Sequence, residues 1–248
     1  MSRWRILWLY SVAAILISVN WFTFIWAVNH GRVLEASLGY YINPLLSVLL
    51  GVVVLGERLN RLQAVAIAIA AGGVSVMAYA GDAMPWISLA LAGSFAVYGL
   101  VKKAAPLPSM TGLLIETAVL LLPALAYVLM QEWGDRGAIG SGTALTIFML
   151  MLGGCITVLP LALFATAAQR VPLSMMGVLQ YIGPTLQFSL GVLIFGEPFG
   201  LGRMIGFSLV WAGSIAFLWA GRSQIAVDDA ATERSEGVAE IRVSQIDS

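Results

Sequence analysis

Apolar residues run along this chain in long blocks, and polar residues gather in the short gaps between them. Eight blocks stand out, at roughly 6–28, 33–55, 62–80, 85–101, 109–130, 143–166, 172–195 and 203–220. In lipid every backbone N–H and C=O must be satisfied within the chain, so blocks of this length predict membrane-spanning helices. The gaps are short, which predicts helix hairpins packed as sequential neighbours. After the last block, residues 221–248 are polar and carry nine charges. That segment reads as a disordered tail.

Within this pattern one segment returns. Tyr41–Glu57, YINPLLSVLLGVVVLGE, recurs as Tyr181–Glu197, YIGPTLQFSLGVLIFGE, at a constant offset of 140 residues. Nine of the seventeen positions are identical, among them Tyr41/Tyr181, Pro44/Pro184, Gly51/Gly191, Gly56/Gly196 and Glu57/Glu197. Two apolar helices share leucines by chance, but rarely Pro, Gly and Gly-Glu at one spacing. The segment is an internal repeat.

Basic residues orient the spans. Arg3, Arg5, Arg58, Arg61, Lys102, Lys103, Arg170 and Arg222 fall in gaps on one side, whereas the other side holds only Arg32, Arg136 and Arg203. The richer side is predicted to be cytoplasmic, with both chain ends there. The copy ending at Glu57 then runs inward and the copy ending at Glu197 runs outward. Inverted copies need an odd number of helices per repeat, and 140 residues hold five. Such inversion is a common plan of secondary transporters, in which the two halves exchange conformations around a central site. The second repeat, 85–220, has all five helices. The first, 1–80, shows only the last three, and its start projects about 55 residues before Met1 by the same offset. The expected fold is therefore an all-α polytopic membrane protein, eight helices of a ten-helix inverted 5+5 bundle that lacks its first hairpin.

Composition narrows the function. The chain is 60% apolar and 10% charged, far below the charge content of a soluble domain, about 25%. No basic patch suggests nucleic acid as a partner; membrane lipid and a small-molecule substrate are the expected ones. His30 is the single histidine, Cys155 is the single cysteine, and Asp82, Asp135, Asp228, Asp229 and Asp247 all lie outside the predicted spans. There is no HExxH, no Gly-rich nucleotide loop, and no base at recognisable spacing from Ser18, Ser37, Ser47 or Ser174. Neither enzyme chemistry nor a cofactor is expected.

Three stretches also resemble a known family: NWFTFIWAVNHGRVLEASLGYYINPLLSVLLGVVVLGERL (20–59), ETAVLLLPALAY (116–127) and VPLSMMGVLQYIGPTLQFSLGVLIFGEPF (171–199). Together they are similar to the RarD-like permeases of the EamA branch of the drug/metabolite transporter superfamily. The resemblance implies ten helices in two inverted repeats, an inner-membrane location, and export or exchange of small metabolites or drugs. The departure is the absent first pair of helices. A non-transporting membrane scaffold, or an inactive truncated remnant of such a permease, is the alternative reading.

Candidate path residues follow from polarity inside spans. Asn20, Thr23, Trp26 and Asn29 step by three along one helical face, with Trp21 flanking it. They either line a cavity or, for Trp26 and Asn29, anchor the outer interface. Tyr40, Tyr41 and Asn43 precede Pro44, and Gln180 and Tyr181 precede Pro184. A proline frees the carbonyl four residues earlier, so each polar cluster sits at a potential kink, hinge or gate. The rival reading is helix packing through tyrosine hydroxyls. A cavity rich in Trp, Tyr, Asn and Gln suits an amphipathic or zwitterionic solute.

Glu116 is the one carboxylate well inside a span, and no intramembrane Arg or Lys offers itself as a partner. Charge at that depth marks a path, a proton relay or a partner, so Glu116 is the expected relay if transport is proton-coupled. His30 and Glu35 read as turn and helix-start residues. Glu57 and Glu197, each after a glycine, read as gate clamps or hairpin-turn residues. Gly51, Gly191, the pair Gly72-Gly73 and the pair Gly153-Gly154 read as helix-packing points.

Overall fold

The computed structural model describes residues 3–79, 85–134, 137, 142–186, 200–202 and 204–221, which form helices and turns with no strand among them. The helices are α1 (Arg3–Asn29), α2 (Val33–Val53), α3 (Arg61–Tyr79), α4 (Pro85–Ala104), α5 (Ser109–Trp133), α6 (Ala144–Arg170), α7 (Leu173–Leu179) and α8 (Met204–Gly221). All but α7 are long and apolar enough to cross a membrane, giving seven candidate spans among the described residues. At about 1.5 Å per residue, the 27 residues of α1 exceed the bilayer's hydrocarbon thickness of about 30 Å. The proposed tail beyond Gly221, together with Gly191, Gly196, Glu197 and Arg203, lies outside the described residues.

The seventh expected span, 172–195, is not one continuous helix over its described part. α7 stops at Leu179, Gln180 and Tyr181 form a turn, and helix resumes at 182–186. The cause is local. Pro184 has no N–H to give the Gln180 carbonyl, and Gly183 donates to that carbonyl instead, at 3.2 Å. The α-helical step becomes a tighter three-residue step. α2 carries Pro44 at the matching position and stays helical throughout. There the residue before proline is Asn43, whereas the second copy has Gly183, the weaker helix former.

The chain divides into two compact units, Met1–Glu57 with Ala83–Pro184 and Arg58–Asp82 with Thr185–Ser248. In the first unit α4 packs along both α1 and α2. Its fully buried residues are mostly small or aromatic, among them Tyr10, Ala13, Ala14, Ala27, Ala92, Ala96 and Tyr98, with Ile87, Leu173 and Lys102 as the exceptions. Small side chains let backbones approach, which is how helices associate when lipid is as apolar as the protein. Gly39 of α2 shows the tightness, since a Cβ there would sit 3.0 Å from the Ser88 carbonyl oxygen.

The second unit pairs α3 with α8 by the same device. A Cβ on Gly73 would lie 2.5 Å from the Gly206 carbonyl oxygen, and one on Gly213 would lie 2.5 Å from the Ala66 carbonyl oxygen. Gly73 is thus a packing point, while its neighbour Gly72, like Gly153 and Gly154 of α6, has nothing within 4 Å. For those three the packing expectation is corrected: they lie on open helix faces. α3 begins with a reciprocal cap. Asn60 Oδ1 accepts from Gln63 N–H at 2.7 Å, and Gln63 Oε1 accepts from Asn60 N–H at 3.0 Å, which satisfies two backbone donors that a helix start leaves open.

Candidate functional site

The starts of the two copies of the repeated segment, 41–44 and 181–184, meet in the first unit. α7 crosses α2 where Gly177 faces Pro44 and Ser47; a Cβ on Gly177 would be 2.7 Å from the Pro44 carbonyl oxygen. That approach brings the repeated tyrosines together. Tyr41 donates its hydroxyl to the Pro184 carbonyl at 3.4 Å, and Tyr181 donates to the Tyr41 carbonyl at 3.3 Å. Both tyrosines are buried, as are Asn43 and Ser47. Beside them Asn43 Nδ2 donates to Gln180 Oε1. Of the candidate path residues, Tyr41, Asn43, Gln180 and Tyr181 therefore form one cluster with the hinge candidates Pro44 and Pro184. Tyr40 stands at its edge, half-buried, in an edge-to-face contact of 5.8 Å with Phe24 of α1.

Below this cluster the end of α2 is tied to the start of α7. α2 closes through Leu55 N–H to the Leu50 carbonyl at 3.3 Å and Glu57 N–H to the Gly51 carbonyl at 3.0 Å. Gly56 takes a left-handed conformation, φ +69°, which only glycine adopts without strain. The chain turns back, and Glu57 reaches α7. Its Oε1 accepts from Leu173 N–H at 2.6 Å and its Oε2 from Ser174 N–H at 2.9 Å. A carboxylate on open helix-start donors is stabilised by charge and by hydrogen bonding. Gly51 makes room, because a Cβ there would lie 2.7 Å from Glu57 Oε2. Glu57 thus ties the end of α2 to the first turn of α7; Glu197 lies outside the described residues.

Glu116 is placed differently from expectation. It has an intramembrane partner: Lys102 Nζ lies 2.7 Å from Glu116 Oε1, with both side chains buried. Tyr98 donates to Glu116 Oε2 at 3.2 Å. The apolar block ends at 101, which predicts Lys102 in the gap after it. α4 instead runs on to Ala104, and that extra turn carries Lys102 into the protein. Tyr98 and Tyr10 flank the ammonium, their ring centroids 5.7 and 5.9 Å away. Tyr10 also accepts from Leu107 N–H at 3.2 Å, while Gln169 donates to the Leu107 carbonyl at 2.8 Å. The pair thereby sits in a network joining α1, α4, α5 and α6 near the α4–α5 turn.

Asn20 faces α4. Its buried amide donates to the Leu91 carbonyl at 2.8 Å and to Ser94 Oγ at 3.0 Å. This fastens two helices. Trp21 is exposed, Thr23 half-buried and Asn29 exposed, so the four residues do not converge on one site. Trp26 stacks on His30 at 4.4 Å, lies 5.9 Å from Trp86, and has Arg32 over its ring. That arrangement fits an interfacial anchor. The Glu35 side chain lies outside the described residues. Sequence reasoning missed Lys102, Tyr98, Ser94 and Gly177. None has a local signal, because each acts on a partner in another helix. Among the described residues no group of His, Cys, Asp and Glu could hold a metal ion.

Comparison with known proteins agrees with this architecture. Residues 1–79 match the model of the EamA-like transporter family. The chain is 50% identical over 206 residues to the uncharacterized transporter YojE of Bacillus subtilis, covering 83% of this chain and 68% of YojE. It is 50% identical over 218 residues to protein RarD of Streptomyces exfoliatus, covering 87% and 68%. Protein RarD of Escherichia coli is 43% identical over 208 residues, covering 84% and 70%. A protein of known crystal structure, 21% identical, shares the fold with a TM-score of 0.59 over 88% of this chain and 79% of that one. At 43–50% identity to these relatives over 83–87% of its length, this multi-pass membrane chain belongs to the RarD-like permeases of the EamA-like transporter family.

Proposed function

We propose that this chain is a secondary transporter that moves small metabolites or drugs across the bacterial cytoplasmic membrane by alternating access. The observation that carries the reading is the meeting of the repeated tyrosines. Tyr41 and Tyr181, 140 residues apart, each bond a backbone carbonyl of the other copy's segment. Two copies of one motif meeting at their first turns fits a site at the interface of an inverted 5+5 bundle. In this reading residues 1–80 are the last three helices of one repeat, residues 85–220 are the other repeat, and both chain ends are cytoplasmic. Tyr40, Tyr41, Asn43, Gln180 and Tyr181 face the solute, with Pro44 and Pro184 as hinges. Glu57 and Glu197 hold the two gates, and Asn20, Trp21 and Thr23 support the path from α1.

The same reading gives Glu116 the proton. It accepts one when Lys102 swings away and returns it when the pair re-forms. Glu116→Gln keeps an oxygen for Lys102 and Tyr98 but has no proton to exchange. In proteoliposomes loaded with a mixed metabolite extract, the chain is expected to change the internal composition when a pH gradient is imposed, and Glu116→Gln is expected to stop that change. Composition identical to protein-free vesicles would remove the transport reading. Equal gradient-driven change in both proteins would remove the relay alone.

A further inference from the structure

We infer that the Tyr41–Tyr181 cluster selects solutes that carry an N–H donor, and that Asn43 Oδ1 is the atom that receives it. This deepens the transport reading and rests on it for the site's purpose. The hydrogen bonds inside the cluster fix which way each amide faces. Gln180 Nε2 faces the Met176 carbonyl at 3.4 Å, which turns Gln180 Oε1 toward Asn43. Asn43 must then present its NH2 to Gln180, as it does. Its other atom, Oδ1, is left buried without a hydrogen-bond partner among the described residues.

A buried amide oxygen without a donor is costly, and native structures keep few of them. Asn43 is only 5% exposed, so bulk water does not satisfy it. The neighbouring donors are engaged already: Tyr41 with the Pro184 carbonyl, Tyr181 with the Tyr41 carbonyl, and Gln180 with the Met176 carbonyl. The cluster therefore has an acceptor to offer and lacks a donor to fill it. There is also room. Gly183, whose N–H bonds the Gln180 carbonyl, carries no side chain, and a Cβ there would meet nothing within 4 Å. The break in the second copy thus leaves open space at the turn that carries Gln180. The occupant this chemistry fits is a small solute with an amide or ammonium N–H, with an apolar or aromatic body against the tyrosines. A site built around a hydrogen bond rejects an analogue that lacks it, because the site's own polar atom is then left unpaired.

The test uses the full chain purified in detergent and two probe pairs that differ in N–H donors. One pair is phenylacetamide and N,N-dimethylphenylacetamide; the other is benzylamine and benzyltrimethylammonium. Affinity is read from the dose dependence of thermal stabilisation. In at least one pair the N–H member is expected to bind about tenfold more tightly than its methylated partner. A preference in one pair alone identifies the donor as amide or ammonium. Asn43→Leu is expected to abolish the preference. Asn43→Asp, which keeps an acceptor oxygen in place, is expected to retain it, and serves if the leucine variant does not fold. Equal affinities within both pairs, binding of none of the four, or an undiminished preference in Asn43→Leu overturns the inference. Flux of the same probes in proteoliposomes separates the two readings. Flux without N–H preference defeats the donor rule and leaves transport standing; preferential binding without flux does the reverse.

Discussion

Lys102 Nζ and Glu116 Oε1 lie 2.7 Å apart with both side chains buried, and the pair fastens α4 to α5. Removing one member of such a pair strands a buried charge and costs about 3–5 kcal/mol, whereas replacing both with apolar groups of similar size is often neutral. Lys102→Met and Glu116→Leu are each expected to lower the melting temperature of the purified protein sharply. The double variant is expected to recover most of the loss. Losses that simply add in the double variant would show that the two groups act independently.

A second prediction concerns the link between α2 and α7. Glu57→Ala exposes two helix-start donors and is expected to cost about 1 kcal/mol, the usual size of a lost N-cap. Gly51→Ala pushes a methyl to within 2.7 Å of Glu57 Oε2 and is expected to cost a similar amount. The two effects share one cause, so the double variant is expected to be little worse than Glu57→Ala alone. Chemical denaturation in mild detergent reads all three.

In the second unit the two glycines of one pair differ. Gly73→Val is expected to separate α3 from α8, since its Cβ would lie 2.5 Å from the Gly206 carbonyl oxygen; overpacking of this kind costs about 1–3 kcal/mol. Gly72→Val meets nothing within 4 Å and is expected to change stability by no more than about 0.5 kcal/mol. Equal losses at the two positions would contradict the α3–α8 crossing.

The proposed inversion makes a separate topological prediction. Reporter fusions placed after Glu57 are expected to be active as cytoplasmic reporters, and fusions after Glu197 as periplasmic ones. The first side is the one that the basic residues Arg58 and Arg61 predict to be cytoplasmic. Both fusions reporting the same side would remove the inversion.

The helices were legible because lipid leaves an apolar block few alternatives, and all the seven long helices fall on predicted blocks. The meeting of Tyr41 and Tyr181 was legible as a repeat, since a shared motif at one offset points to related positions. The Lys102–Glu116 pair was not. Its recognition needed the end of α4, and one extra turn moves a residue from gap to interior. The hold of Glu57 on α7 joins residues 116 positions apart, and nothing local marks the receiving N–H groups. The break at Gln180–Tyr181 had a cue in Gly183-Pro184, but the same proline leaves α2 unbroken, so the glycine had to be weighed with it. The Asn60…Gln63 spacing carried a readable cap signal of the Asx-x-x-Gln kind.

Two-sided cysteine labelling at the repeated tyrosines tests alternating access most directly. In a Cys155→Ser background, Tyr41→Cys and Tyr181→Cys would each be probed with a membrane-impermeant maleimide from the cytoplasmic or the periplasmic face, with and without an imposed proton gradient. The account predicts that each cysteine labels from one face at a time and that the gradient changes which face. Labelling that stays on one face under both conditions, or is absent from both, would contradict it.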